Sequence, residues 1–201
     1  MYIPGKWNMN YTDDIHHFIK EFGFASIISN DLEASHLPLL LLPNEGDKGV
    51  LYGHFSNTNT HFKSIDKSKV LAIFTGPHAY ISPTWYDKSP AVPTWNYAVV
   101  HVSGKLELTG DETTSTMLEA LINKYEPQLL INGVIPAEFK AKLSKGITGF
   151  KITISKLQGK EKLGQHRSKA DQLGVIAALE KSTNTDEIEL LKYMQSRHIG
   201  S

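Results

Sequence analysis

Aromatic rings and prolines are concentrated in the segment from residue 71 to residue 101. Two apolar runs, Leu71–Phe74 and Tyr97–Val102, enclose most of it. Its rings and prolines are Trp85, Tyr86, Trp95, Tyr97, Pro77, Pro83, Pro90 and Pro93. Proline stiffens the backbone, and rings without packing partners would leave apolar surface in water. We therefore expect this segment to form a wall for a flat ligand or a partner subunit, although aromatic residues also occupy cores and interfaces.

A second group of candidate residues lies at the end of a predicted strand. It consists of His54, Phe55, Ser56, Asn57, Asn59 and Lys63. The sequence has neither a Walker motif nor GxGxxG, so a bound phosphate would have to contact side chains and strand-end backbone. Hydroxyl, amide and ammonium groups at this strand end suit that role. The alternative interpretation is that Asn57 and Asn59 only form turns and cap a short helix.

The segment Gly159–Arg167 is the third candidate. Lys160 and Lys162 share a face if this segment is a strand, and Arg167 can make bidentate contacts to a phosphate or carboxylate. The segment is part of a basic stretch that contains Lys140, Lys142, Lys145, Lys151, Lys156, Lys160, Lys162, Arg167 and Lys169. Such a stretch attracts the phosphate of a cofactor or of DNA, or it forms a solvated face balanced by acids elsewhere.

Several motifs resemble the PaiB-like family, which is described as FMN-binding negative transcriptional regulators. They are MYIP (Met1–Pro4), SHLPLLL (Ser35–Leu41), LYGHFSNTN (Leu51–Asn59), GPHAYISPTWY (Gly76–Tyr86), VPTWNYAVVHVSGKL (Val92–Leu106) and GKEKLGQHR (Gly159–Arg167). Their common order makes the resemblance more specific than any one short pattern. The resemblance implies a split β-barrel, a homodimer and FMN bound between the subunits.

The resemblance also implies which residues contact FMN. The phosphate is expected near the end of the LYGHFSNTN motif, the ring near Trp95, and Gly159–Arg167 at the ligand pocket. The implied cofactor-binding residues are His54, Phe55, Ser56, Asn57, Asn59, Lys63, Trp95, Asn96, Tyr97, Lys162, Gln165 and Arg167. The chain has Asn57 where the family often has arginine, and Gly164 and His166 where it more often has serine and asparagine.

Hydrophobic periodicity predicts an α+β fold around a closed or nearly closed barrel. We predict one domain over residues 1–181, with residues 182–201 as a helical extension of it. The predicted strands are Phe24–Ser29, a hairpin of His36–Leu42 with Val50–Phe55, Val70–Phe74, Ala79–Ser82, Tyr97–Leu108 and Ile147–Leu157. The predicted helices begin at Thr12, at a cap on Asp111, and at a capping box of Ser168 with Asp171, and a last helix spans Glu187–Gln195.

Composition excludes several kinds of site. The chain has no cysteine, so it has no disulfide, thiolate nucleophile or thiolate metal site. Its nine histidines follow no metal-ligand spacing, and we predict no metal. Without a long apolar run or a signal pattern, the sequence predicts a cytoplasmic protein that does not contact a membrane.

Three functions remain open at this stage. The first is an FMN-binding regulator, for which DNA would have to contact the basic stretch because no helix-turn-helix is recognisable. The second is a flavin-dependent oxidoreductase similar to pyridoxine-phosphate oxidases or flavin reductases, or a haem-binding protein that uses His54 or His78. The third is a structural module whose pocket has lost its ligand. No catalytic residue can be assigned from the sequence.

Overall fold

The computed structural model describes residues 1–134, 136 and 144–201 of the chain. Lys140 and Lys142, two members of the predicted basic stretch, lie outside these residues. The strands are β1 (Phe24–Ile28), β2 (Ala34–Pro38), β3 (Leu40–Leu42), β4 (Val50–Ser56), β5 (Lys69–Ile81), β6 (Thr94–Leu108) and β7 (Ile147–Lys162). The helices are α1 (Thr12–Glu21), α2 (His61–Ile65), α3 (Asp111–Tyr125), α4 (Gln128–Ile131), α5 (Lys169–Leu179) and α6 (Thr185–Ser196).

The seven strands form one sheet in the order β2-β1-β5-β6-β7-β4-β3. β1 pairs antiparallel with both β2 and β5, and β4 pairs antiparallel with both β3 and β7. Helices lie mostly outside this strand order, as the sequence predicts for an α+β protein. Among the described residues, no helix is both long and apolar enough to cross a membrane.

The predicted hairpin of His36–Leu42 with Val50–Phe55 is only half right. The segment predicted as the first strand of the hairpin is divided at Leu39. Its first part, β2, pairs with β1, and only its second part, β3, pairs with β4. Pro38 ends β2 because it has no N–H for a further ladder bond. Leu39 is completely buried, and its N–H donates to the Gly23 carbonyl at 2.8 Å.

Other boundaries differ in ways that matter for the site. Val70–Phe74 and Ala79–Ser82 belong to one strand, β5, and β7 continues beyond the predicted end at Leu157 to Lys162. Gly110, not Asp111, is the N-cap of α3, and Asp111 lies in the first turn, where its charge favours the helix dipole. The cap predicted at Ser168 is confirmed, since its hydroxyl accepts from the Asp171 N–H at 3.2 Å.

The chain divides into two compact units. Unit 1 comprises Met1–Tyr11, Thr75–Val100 and Gln158–Ser201, and unit 2 comprises Thr12–Phe74 and His101–Leu157. The core of unit 2 centres on Phe55 and Phe150, whose rings lie 4.7 Å apart and are completely buried. Burial of each such side chain contributes roughly 1.5–3 kcal/mol to folding.

The sheet of unit 1 has two differently covered faces. On one face, Asn96 and Glu161 contact Met194, Tyr193 and Arg197 of the C-terminal segment. On the other, Lys160 contacts the N-terminal residues, with which it forms an isolated bridge at Asn8. We call Met1–Met9 the N-terminal arm. Because side chains alternate along a strand, neighbouring residues of β7 serve different surfaces.

Gly104 provides a test of the packing of β6 against β7. A Cβ atom at this position would lie 2.5 Å from Ile152 Cγ2 and 2.5 Å from the Thr153 carbonyl oxygen. We expect Gly104→Ala to lower the free energy of unfolding by about 1–3 kcal/mol through overpacking, measured by urea denaturation. Gly5→Ala is the control, since nothing lies within 4 Å of its Cβ position, and an equal loss in both variants would contradict this account.

Candidate functional site

The predicted phosphate site at the end of β4 lies in unit 2, and Asn57 makes internal hydrogen bonds there. Its Nδ2 donates to the Lys145 carbonyl at 2.8 Å, and its Oδ1 accepts from Thr148 Oγ1 at 2.6 Å. The side chain therefore joins the end of β4 to the start of β7. These bonds are long-range, unlike the local turn that the sequence offered as the alternative.

Asn59 belongs to a buried hydrogen-bond network around His61. Asn59 Oδ1 accepts from the His61 N–H at 3.0 Å, and its Nδ2 donates to Ser35 Oγ at 3.1 Å. The His61 ring is completely buried and bridges Ser35 Oγ at 2.9 Å and Ser29 Oγ at 2.8 Å. Ser29 in turn donates to Asp31. The network ties α2 to the turn between β1 and β2.

The remaining predicted residues of this group differ in exposure. Phe55 is completely buried in the core, Ser56 shares a hydrogen bond of 2.7 Å with Thr58, and Lys63 is exposed. His54 is partly buried beside Met117, and loss of solvent lowers the pKa of its imidazole. A phosphate contact in unit 2 would therefore rely mainly on Lys63.

Lys162 and the strand-end residues of β6 come together in unit 1. The Lys162 ammonium donates to the Thr94 hydroxyl and, at 2.9 Å, to the Trp95 carbonyl. Burial, followed by the positive charges of Lys160, Arg167 and Lys6, lowers the pKa of this ammonium. Lys162 is thus a cation held among other cations beside Trp95.

Lys160 is the most buried of these cations. Its side chain is surrounded by rings, with Nζ 5.2 Å from the Tyr97 centroid, 5.5 Å from Trp7 and 5.7 Å from Tyr2. Only 8 % of the residue is exposed, and Nζ donates to the Tyr2 carbonyl at 3.2 Å. Cation–π contacts of this kind strengthen when water is excluded.

Trp7 is the ring on which the positive charges converge. The ammonium groups of Lys6, Lys160 and Lys162 lie 4.8, 5.5 and 5.6 Å from its centroid. The His166 ring approaches its edge at 6.1 Å, and burial, followed by the charges of Lys6, Arg167 and Lys162, lowers the pKa of that imidazole. No carboxylate forms a salt bridge with these three lysines in the described part of the chain.

An exposed group of rings continues this face of unit 1. Trp95 is 52 % exposed, stacks on His78 at 6.2 Å and meets Tyr80 edge-on at 6.5 Å. Tyr97 lies two residues along the strand from Trp95 and therefore on the same face. Of the four rings in the predicted wall, Trp95 and Tyr97 lie on this face, and the Trp95 backbone is adjacent to Lys162.

Asn96 and Gln165 have structural roles around the wall, whereas Arg167 lies against one ring. Asn96 is buried on the opposite face, with Nδ2 3.9 Å from Met194 Sδ. Gln165 closes the turn after β7, accepting from the Leu163 N–H at 2.8 Å and donating to the Glu161 carbonyl at 2.7 Å. The Arg167 guanidinium stacks on Tyr86, 4.3 Å from the ring centroid.

The turn after β7 favours glycine at one position. Gly164 has φ +80°, in the left-handed region that glycine adopts without strain. A residue with a side chain would be strained here. The turn places Arg167 beside Tyr86 and Asp171.

The sequence interpretation missed the N-terminal contribution to this site. Tyr2, Lys6 and Trp7 were not among the predicted cofactor-binding residues, although the MYIP motif pointed to the same end of the chain. Lys160 was also absent from the cofactor-binding residues, although its spacing from Lys162 already placed both lysines on one face of the predicted strand. No cluster of three or more potential metal ligands occurs within residues 1–134, 136 and 144–201.

The chemistry of this donor set suits an anion attached to a flat ring. Ammonium groups and an arginine can neutralise a phosphate, while Trp95 and Tyr97 offer aromatic surface next to them. FMN has both parts, so the residues of unit 1 fit the cofactor that the sequence resemblance implies. The polar groups at the end of β4 fit it less well because Asn57 and Asn59 are already hydrogen-bonded within the protein.

Comparison with known proteins agrees with this chemistry. Residues 1–156 match the family described as "Putative FMN-binding domain". The chain is 32% identical over 205 residues to "Protease synthase and sporulation protein PAI 2" of Bacillus subtilis, covering 98% of each chain. FMN, the cofactor predicted from the sequence, is the one that the family description names.

Two solved structures share the fold of this chain. The FAD and heme binding protein from Mycobacterium smegmatis superposes with a TM-score of 0.58 at 14% identity, covering 77% of this chain and 72% of that one. The flavocytochrome Anf3 from Azotobacter vinelandii gives 0.57 at 14% identity, covering 78% and 70%. At this identity the likeness concerns the fold alone. The predicted α+β split-barrel fold is confirmed.

Asp171 allows the support of the Arg167 turn to be tested. Its carboxylate accepts from the Lys88 N–H at 3.0 Å, and this bond, with Ser168 and Arg167, holds its pKa below the usual value. A carboxyl group with a lowered folded pKa stabilises the fold above its unfolded pKa of about 3.9, and that stability is lost as the pH falls. We expect Asp171→Asn to lower stability at pH 7, with the difference from wild type shrinking at pH 3.

Urea denaturation at both pH values measures the effect. Glu180→Gln, at the exposed end of α5, is the control and should change little at either pH. A difference between Asp171→Asn and wild type that is the same at pH 7 and pH 3 would show that the charge is not responsible.

Proposed function

The chain belongs to the FMN-binding-domain family whose match covers residues 1–156, and on this premise we propose that it binds FMN on the ring-and-lysine face of unit 1. Lys162 and Arg167 bind the phosphate, and Trp95 and Tyr97 contact the isoalloxazine. Gln165 and Asn96 position these residues, the first through the turn after β7 and the second from the opposite face.

One observation carries the proposal: the lysines of this face have no carboxylate partner in the described segments, and they lie beside exposed rings. Uncompensated cations at a partly buried site attract an anion, and aromatic surface adds affinity for a flat ring. FMN supplies both. The residues of the β4 end, above all Lys63, remain a second predicted position for the phosphate.

Bound FMN supplies hydride or electron transfer, and the protein contributes binding and orientation. We propose that the protein acts in the cytoplasm as a homodimer with FMN at the subunit interface, and as a PaiB-like negative regulator. The Bacillus subtilis relative is named "Protease synthase and sporulation protein PAI 2", and a role in sporulation supports the proposal of a regulatory protein. DNA would contact the described part of the basic stretch, from Lys145 to Lys169.

FMN titration of the purified protein tests the site. We expect saturable quenching of FMN fluorescence, with affinity lowered about tenfold or more in Lys162→Met and Arg167→Ala because each removes a charged contact to the phosphate. Lys181→Met, an exposed lysine between α5 and α6, is the control. If Lys63→Ala weakens binding and the unit 1 variants do not, the phosphate lies at the end of β4. A folded protein that shows no saturable quenching contradicts FMN binding.

Regulation by DNA contact has its own test. Electrostatic binding to DNA weakens steeply as salt rises, with a slope set by the number of phosphates contacted. We expect operator DNA to be retarded at low salt, with a shallower salt dependence after charge removal at Lys145, Lys156 and Lys169. Absence of binding at low salt, with and without FMN, would leave the regulator role without a DNA contact.

The exposed ring of Trp95 favours a second candidate, a flavin-dependent oxidoreductase. A second flat molecule can stack on this open face, and Lys162 and Arg167 could hold an anionic substrate. Bleaching of bound flavin by NADH, followed by reoxidation, would support this function. Lack of turnover over a broad substrate panel would count against it.

A further inference from the structure

We infer that the N-terminal arm and β7 form a subsite for a phosphate monoester, lined by Lys6, Trp7, Lys160 and Lys162. This inference adds a binding site to the proposed function. It rests on that function only for the identity of the ligand. If FMN is that ligand, its phosphate lies against the arm. The chemistry alone requires a compact group with close to two negative charges.

The first reason is an unpaired donor. Trp7 Nε1 is the one side-chain nitrogen or oxygen, within the described ranges, that is buried and has no hydrogen-bond partner. Leaving such a donor unsatisfied costs the whole desolvation penalty of the group, so buried donors in native proteins nearly always have acceptors. A ligand oxygen would supply the missing acceptor.

The second reason is the charge around the same ring. Lys6, Lys160 and Lys162 all approach Trp7 within 5.6 Å, and none has a carboxylate partner in the part of the chain described. Like charges repel, so an anion bound among the three ammonium groups would lower the electrostatic energy of this arrangement. The acid that is adjacent in sequence, Glu161, instead pairs with Arg197 at 2.9 Å on the other face.

The number of charges selects the ligand class. A carboxylate would neutralise only one of the ammonium groups, whereas a phosphate monoester carries close to two negative charges at pH 7 and offers three acceptor oxygens. Those oxygens can accept from the lysines and from the indole N–H together. A diester, with one charge, fits this donor set less well.

The arm is held against β7 by specific contacts. The Met9 N–H donates to the Gly159 carbonyl at 3.1 Å, and the N-terminal ammonium of Met1 donates to Gln158 Oε1 at 3.1 Å. Gly159 is required for this approach, because a Cβ there would lie 2.5 Å from Met9 Sδ. Trp7 is thus placed by contacts on both sides of it in sequence.

Access to the indole N–H requires a local movement. Nε1 is covered, while Lys6 is exposed and its long side chain can move aside. A phosphate that enters between Lys6 and the ring would change the environment of the indole. We therefore expect binding to change the emission of Trp7.

Paired titrations with FMN and riboflavin test the subsite, since the two differ only by the phosphate. We expect wild type to prefer FMN by about tenfold or more. Trp7→Phe, which keeps a ring but removes the N–H, and Lys160→Met should each reduce that preference by about tenfold while riboflavin binding stays the same. Lys181→Met should keep it, and circular dichroism melting checks that each variant folds.

Titration with inorganic phosphate tests the subsite without any flavin. At matched ionic strength, we expect phosphate to raise the Tm of wild type more than chloride does. We also expect phosphate to change the tryptophan emission of wild type but not that of Trp7→Phe, which lacks the indole at this position. A phosphate effect that is absent from Lys160→Met, in a protein that binds no flavin, would leave the subsite in place for another phosphorylated ligand and overturn the proposed function.

Two results would overturn the inference. One is FMN binding in which Trp7→Phe and Lys160→Met, both folded, keep the wild-type preference over riboflavin; FMN binding would then stand without this subsite. The other is the absence of any effect of phosphate together with equal affinity for FMN and riboflavin.

Discussion

The burial of the Lys160 ammonium without a carboxylate partner in the described structure is the constraint on which the organisation of unit 1 depends. Desolvating an isolated ammonium is expensive, and the protein offsets that cost with three rings and one carbonyl oxygen. Two of those rings and the carbonyl come from the N-terminal arm. Lys160 therefore contributes to the position of the arm, and together with Lys6 and Lys162 it gives this face its positive charge.

The fold was largely predictable because its signals are local. Ile15, Phe18 and Ile19 recur at helical spacing and are buried in α1, and the Ser168 cap begins α5 where the sequence predicts it. The prediction of a hairpin between His36–Leu42 and Val50–Phe55 was partly wrong, because strand pairing depends on residues that are distant in sequence. Nothing near Leu39 indicates that residues on its two sides join opposite edges of the sheet.

The site was predictable in composition but less so in its contacts. Trp95 and Lys162, which belong to two separate motifs, lie together in the structure. Asn57 and Asn59 have the residue types of a phosphate site, yet their amides bond to Lys145, Thr148 and Ser35, which are far away in sequence. Trp7 could not be assigned from the sequence, because its importance arises only when the arm returns to β7.

Glu161 shows how the C-terminal helix sets the electrostatics of the opposite face. This carboxylate lies between Lys160 and Lys162 in sequence, but the alternation of β7 turns it toward α6, where Tyr193 and Arg197 hold it. Arg197 thus balances a charge that would otherwise be the lysines' nearest counterion. The C-terminal segment thus keeps the Glu161 carboxylate paired on its own face, and the lysines on the opposite face stay available to a ligand.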